Sequence, residues 1–301
     1  MAELTVSRMD FGKFMQGLRQ KAPRSSMTTA ALHIEVTRQV LDRLERGSPV
    51  KLGTMHINGL LDHYEATPEE RSAALSLWTE IKEQDKAAKA QGNSKGFWKA
   101  YSDQVVPNFE RFLRLEKVAI GITAHQPVIV PGLLQTPDYR RAILRINETK
   151  RLSAVDLERR VELNEKRQAR LGDPDFQLET YLSEAVLRNR AGAPPVMAGQ
   201  LHWLAEVGAR DNVRIRVIPF TAEPHAGMTM QTFTLLELPT GTSGAALPPV
   251  VYAEGAIGSV FHEHEEEVYP YRQAIDGLRA VALSENDTRD FLSQVAKEYA
   301  A

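Results

Sequence analysis

Ser26-Met27-Thr28-Thr29-Ala30-Ala31-Leu32-His33-Ile34-Glu35-Val36-Thr37-Arg38-Gln39-Val40-Leu41-Asp42-Arg43-Leu44-Glu45-Arg46-Gly47 sets the architecture of the first third of the chain. Residues 28–34 read as a short helix. Val36, Val40, Leu41 and Leu44 form the apolar stripe of a second, closed by the glycine stop and proline of Gly47-Ser48-Pro49. Two helices joined by so tight a turn must approach closely, which a small residue such as Ala30 or Ala31 permits, while Ile34 and Val36 bury the turn. Thr37 stands where an N-cap is needed, its hydroxyl able to accept a backbone N–H of the helix it opens. The next side chains, Arg38 and Gln39, then project freely from that helix's first turn.

Working outward, Phe11, Phe14, Met15 and Leu18 recur at helical spacing before Pro23-Arg24-Ser25-Ser26 interrupts them. Residues 52–64 and 68–81 add two further helices. The second is opened by Thr67-Pro68-Glu69-Glu70, which offers an N-cap, a proline at the first helical position and two acids at the positive end of the helix dipole. The whole chain carries a net charge of −2, but residues 13–51 hold eight basic side chains against Glu35, Asp42 and Glu45, a local +5. A basic patch confined to one small helical segment is the electrostatic footprint of a nucleic-acid-reading head.

Residues 82–96 are polar and short of large apolar side chains, and they divide the chain into a head at 1–84, a linker at 85–96 and a larger domain at 97–301. Residues 97–124 read as one long helix, either containing Pro107 or starting at it, and 125–136 as an ordered loop or short strand. Helices are expected at 137–146, 153–171, 196–209, 271–283 and 288–299. Strands are expected at 176–181, 213–218, 233–238 and 250–253, with a glycine-rich turn at 240–245. The fold class is therefore a mainly α helix-turn-helix head followed by an α+β domain with a small mixed sheet.

With 301 residues and 43% hydrophobic side chains the chain can bury a sizeable core. The absence of cysteine excludes disulfides, thiolate metal sites and thiol nucleophiles. Neither a signal peptide nor a membrane span is legible, which points to the cytoplasm. No P-loop, dinucleotide fingerprint or Ser-His-Asp elbow is present, so neither an enzyme nor a cofactor is expected. His262-Glu263-His264-Glu265-Glu266-Glu267 holds metal-ligating residue types. Its ligands would alternate faces on a strand and no distant third histidine is marked out, so it reads as a solvated charged turn with no metal.

The 26–47 stretch resembles the XRE-type, lambda-repressor-like helix-turn-helix regulators. The resemblance implies that Thr37, Arg38 and Gln39 open the recognition helix, with Arg43 one turn on. Arginine can bond guanine, and glutamine adenine, in bidentate fashion. It also implies phosphate contacts from Ser26 and Met27 at the start of the first helix and from Lys51 in the following loop, and a buried Arg19–Glu45 ion pair. Three residues depart from the family pattern. Glu35 replaces the usual turn glycine and needs an unusual backbone angle or a shifted turn. Met27 replaces a glutamine, and Asp42 would face phosphate.

The rest of the chain is similar to the large domain attached to such heads in actinomycete antitoxin-like regulators. The resemblance is carried most specifically by Pro131-Gly132-Leu133-Leu134-Gln135-Thr136, with Phe112-Leu113-Arg114-Leu115-Glu116, Arg159-Arg160-Val161-Glu162-Leu163 and Val251-Tyr252-Ala253-Glu254 alongside it. It implies transcriptional control and a short partner protein encoded next door. Leu133, Leu134, Gln135 and Tyr139 read either as a partner-binding surface or as a buried crossover, and Glu254 with His225 as a pocket lining. The expected function is sequence-specific binding of double-stranded DNA, as a homodimer because one head reads few bases. The rival expectations are an antitoxin that mainly neutralises its partner protein, and a ligand-sensing domain with degenerate DNA binding.

Overall fold

The computed structural model describes residues 6–23, 25–90, 101, 107–146, 153–255 and 258–300. They fall into two compact units, Met1–Gly96 with Pro239–Leu247, and Phe97–Leu238 with Pro248–Ala301.

The first unit is built from α1 (Val6–Lys21), α2 (Met27–His33), α3 (Arg38–Glu45), α4 (Thr54–His63) and α5 (Pro68–Ala90). Their apolar faces meet in one core around Phe11, Met15, Leu41, Ile57, Leu60 and Trp78, with the Phe11 and Trp78 rings 5.2 Å apart. Close approach of α1 and α3 requires Gly12, since a Cβ there would lie 2.4 Å from the Glu45 carbonyl oxygen. Two turns further on, Arg19 Nε and Nη2 donate to the two carboxylate oxygens of the buried Glu45 at 2.7 and 2.8 Å, as the family resemblance implied. Helix α5 runs past Ile81 to Ala90. The apolar period stops at Ile81, but the residues that follow are strong helix formers and nothing breaks the backbone. Part of the expected linker is therefore helix, and its remainder, 91–96, lies outside the described residues. Residues 239–247 are grouped with this unit, where the buried Asp10 carboxylate accepts hydrogen bonds from Thr242 Oγ1 and Ser243 N, both at 2.9 Å.

The second unit holds α6 (Pro107–Val118), β1 (Gly121–Gln126), α7 (Pro137–Ile146), α8 (Ala154–Gln168), β2 (Gln177–Ser183), α9 (Glu184–Arg188), α10 (Pro194–Val207) and β3 (Val213–Ile218). After these come β4 (Phe233–Glu237), β5 (Val250–Gly255), β6 (Gly258–His262), α11 (Glu265–Val281) and α12 (Glu285–Ala300). The sheet runs β3-β2-β1-β4-β5-β6. β1, β2 and β3 are parallel, linked by helical crossovers as parallel strands require, and β4, β5 and β6 continue antiparallel. Six strands overturn the expectation of a small sheet. Two strands were not expected, β6 at the edge and β1 at the centre, where 121–124 read in the sequence as the end of a long helix and 125–126 as an ordered loop or short strand. That helix stops at Val118, and the strand after it carries buried His125 and Gln126 where an apolar alternation was sought.

The period of two along the strands divides the sheet into faces. Tyr181, Phe233, Leu235 and Val251 point to one face and pack beneath Val268, Ile275 and Leu278 of α11. Ile122, Ala124, Leu178, Thr234 and Tyr252 point to the other and line a cavity. Among the described residues no helix is long and apolar enough to cross a membrane.

Candidate functional site

In the first unit, α2 is opened by a capping box, Ser26 Oγ accepting from Thr29 N at 3.1 Å while Ser26 N donates to Thr29 Oγ1 at 2.9 Å. Its C-terminus closes as a Schellman motif, with Val36 N donating to Ala31 O at 3.0 Å and Glu35 N to Leu32 O at 3.1 Å. This geometry puts Glu35 at φ +56°, the unusual angle that a glycine would adopt without strain. Helices α3 and α4 end in the same way, with Gly47 at φ +70° and Glu65 at φ +53°. One turn device thus ends all three of these helices, and it holds a glycine in one of them.

Thr37 then caps α3, its Oγ1 accepting from Val40 N at 3.4 Å. Thr37, Arg38 and Gln39 are exposed together at the N-terminal, electropositive end of α3. Ser26 and Lys51 are exposed as well. Other residues singled out in the sequence are placed differently. Arg43 Nη2 donates to Pro49 O at 2.7 Å, a bond that ties α3 to the loop after it. Met27 is half-buried and packs against the core of the unit. Asp42 is paired with Arg46 at 3.0 Å, which neutralises the charge that would otherwise oppose phosphate.

In the second unit, the segment 130–136 is held from all sides. Gln135 Nε2 donates to Val130 O at 2.7 Å, Asn164 Nδ2 to Gly132 O at 2.8 Å, Gln168 Nε2 to Gln135 O at 2.5 Å and Gln200 Nε2 to Leu134 O at 2.7 Å. Tyr139 OH accepts from Val130 N at 3.3 Å. Leu133, Leu134, Gln135 and Tyr139 are all buried, as a crossover requires and an exposed partner surface does not, and Leu133 and Gln135 line a cavity. A short loop whose backbone groups cannot reach water must find partners inside, and side-chain amides supply them here.

The inner side of that loop, with α6, α7, α8 and the cavity face of the sheet, encloses about 450 Å³. Glu116 and Arg167 meet in its wall through two parallel bonds of 2.7 and 2.8 Å. Burial opposes the Arg167 charge, and the attraction of Glu116 outweighs it, leaving the guanidinium pKa above its ordinary value. Gly132 makes this placement possible, since a Cβ there would lie 2.7 Å from Arg167 Nη1. Arg140 and Arg160 also line the cavity, with exposed Glu254 at its edge. His225 is not part of the lining, so the expected pairing with Glu254 is not formed. The arginines were missed as a group in the sequence. Arg167 could have been found there, because it occupies a position in step with Leu157, Val161 and Asn164 on the buried face of α8. The 262–267 run supplies the end of β6 and a capping box for α11, in which Glu267 accepts from His264 N at 3.4 Å. No group that could hold a metal ion occurs among the described residues.

The molecule thus combines a helical unit with an exposed polar helix N-terminus and a mixed-sheet unit with an arginine-lined cavity. The chain belongs to the DUF5753 family, a domain of unknown function, whose model matches residues 109–294, spanning the second unit from α6 into α12. No curated protein and no solved structure matches the chain.

Proposed function

We propose that the first unit is a helix-turn-helix head of the XRE type, and that the protein regulates transcription by binding specific double-stranded DNA. The observation that carries this reading is the free presentation of Thr37-Arg38-Gln39 at the capped N-terminus of α3. A helix N-terminus of this kind enters the major groove with its first side chains on base edges. Arg38 then reads guanine and Gln39 adenine. Ser26 and Lys51 contact phosphate on either side, fixing the register without reading sequence. Arg43, engaged with Pro49 O, positions the loop that carries Lys51. Two heads on a two-fold operator would place the half-sites about 10 base pairs apart, or a multiple of that.

The test is selection of genomic fragments by the purified full chain, followed by titration of the recovered sequence. Arg38→Ala is expected to cost about 1–3 kcal/mol on that sequence and to relax preference at one base. Lys51→Ala is expected to weaken binding to all sequences alike and to lower the salt dependence by about one counterion. Failure to recover any common sequence, or an Arg38→Ala protein with unchanged preference, would overturn the proposal.

A further inference from the structure

The cavity of the second unit contains a charge that its surroundings leave unanswered. Five arginines bury their Nε without a hydrogen-bond partner: Arg111, Arg114, Arg140, Arg170 and Arg272. Three of them face a carboxylate and a fourth donates to two backbone carbonyls. Arg111 holds Glu263, Arg114 holds Glu110, Arg272 lies 3.4 Å from Glu237, and Arg170 donates to the carbonyls of Glu116 and Ala119. Arg140 has only a long 3.4 Å contact from Nη1 to the neutral amide oxygen of Gln135.

Among the described residues no carboxylate pairs with Arg140. The cavity-lining charges are Arg140, Arg160, Arg167, Glu116 and Glu254, and Glu116 is consumed by Arg167 in a closed bidentate pair. Burial, then Arg167, then Arg160 push the Arg140 pKa down to about 10, with Glu254 acting weakly in the other direction. A guanidinium that lacks a counter-charge in such a wall is costly, and its Nη2, which no hydrogen bond among the described residues occupies, can donate to an oxyanion in the cavity.

Much of the remaining wall is apolar. Phe112 and Tyr252 stand with ring centroids 4.5 Å apart, and Ile143, Leu144 and Leu163 complete the lining beside them. A space of about 450 Å³ falls within the size range of small-molecule sites.

We infer that this cavity binds an amphipathic organic monoanion, its carboxylate or similar oxyanion on Arg140 and its ring or chain body against Phe112, Tyr252 and Leu163. One negative charge answers the Arg140 guanidinium. A polyphosphate would be left with excess charge among apolar walls, and a cation would meet three arginines. The inference concerns the second unit alone and does not depend on DNA binding by the first.

The test is a fluorescence titration of the full chain with two probes of the same ring skeleton, anionic 8-anilinonaphthalene-1-sulfonate and uncharged N-phenyl-1-naphthylamine. The sulfonate is expected to bind once per chain, at least about tenfold tighter than the neutral probe, the worth of one hydrogen-bonded buried charge. Arg140→Gln should remove that preference and leave the neutral probe's affinity unchanged. Glu254→Gln, at an exposed position that folding does not need, should tighten sulfonate binding about twofold to fivefold, which keeps the test open even if Arg140→Gln does not fold. Equal binding of the two probes, no saturable sulfonate binding, a preference that survives Arg140→Gln, or an unchanged Glu254→Gln would each overturn the inference.

Discussion

Removing Glu116 should damage the second unit more than removing Arg167, and the difference follows from proton chemistry. The pair is almost entirely out of water, with side-chain exposures of 7% for Arg167 and 5% for Glu116. Glu116→Gln keeps the shape but strips Arg167 of its counter-charge beside Arg140 and Arg160. An arginine cannot escape by losing its proton, so the full cost of an uncompensated buried charge, about 3–5 kcal/mol, falls on the folded state. Arg167→Met leaves the carboxylate behind, and a stranded carboxylate can escape by taking up a proton. From the ordinary glutamate range that costs about 3.7 kcal/mol at pH 7, which sets a ceiling on the electrostatic damage and shrinks by about 1.4 kcal/mol for each pH unit lowered. For a unit of this size each kcal/mol moves Tm by about 2–4 °C, so Glu116→Gln should lose about 6–20 °C. Its deficit should be the same at pH 7 and pH 5.5, whereas that of Arg167→Met should narrow. Glu116→Met with Arg167→Met should recover most of the loss, because an apolar pair of similar volume is often as stable as a buried ion pair. Thermal unfolding of the four proteins at the two pH values measures all of this. A Glu116→Gln deficit below about 1 kcal/mol, or one that narrows with falling pH like that of Arg167→Met, refutes the reasoning.

Three further outcomes are expected. Glu35→Gly relieves a left-handed backbone worth about 1–2 kcal/mol against an unfolded-state entropy cost of about 0.5–1 kcal/mol, so hydrogen exchange of the α2 and α3 amides should slow; faster exchange would count against a strained turn at φ +56°. Leu134→Asp places an unpartnered charge at a fully buried position and should lower Tm by more than about 10 °C, whereas a change within 2 °C would mean that the 130–136 bracket is not a core element. The buried His125 has its pKa lowered by desolvation, only partly offset by its bond to Gln231 O. The unfolded chain therefore takes up a proton near pH 6.5 that the folded chain refuses, and stability present above that pH is lost as it falls, by up to about 1.4 kcal/mol per pH unit for one proton. His125→Gln should lose less stability than wild type between pH 7.5 and 5.5; an equal loss would assign the acid sensitivity to other groups.

How much of this was legible in the sequence depended on whether a residue's role was local. The Thr37 cap, the turn strain at Glu35 and the stop at Gly47 were readable because each involves residues within five positions of one another. The Arg19–Glu45 bond spans 26 positions and came from family resemblance, not from periodicity. β1 was misread because a central strand takes its stability from neighbours on both sides and so tolerates polar His125 and Gln126, which an isolated strand pattern would not predict. The cavity was further from reach. Arg140, Arg160 and Arg167 look like ordinary solvated positions on two amphipathic helices until α7 and α8 fold over the sheet. Only then does the carboxylate count matter, because Glu116 arrives from α6, 51 positions before Arg167, and among the described residues no carboxylate pairs with Arg140. A buried charge imbalance is a property of the assembled layers. It is also costly to keep, and a loop pinned by four amide side chains around a glycine that makes room for Arg167 is a rigid frame in which the imbalance persists until an anion arrives from outside.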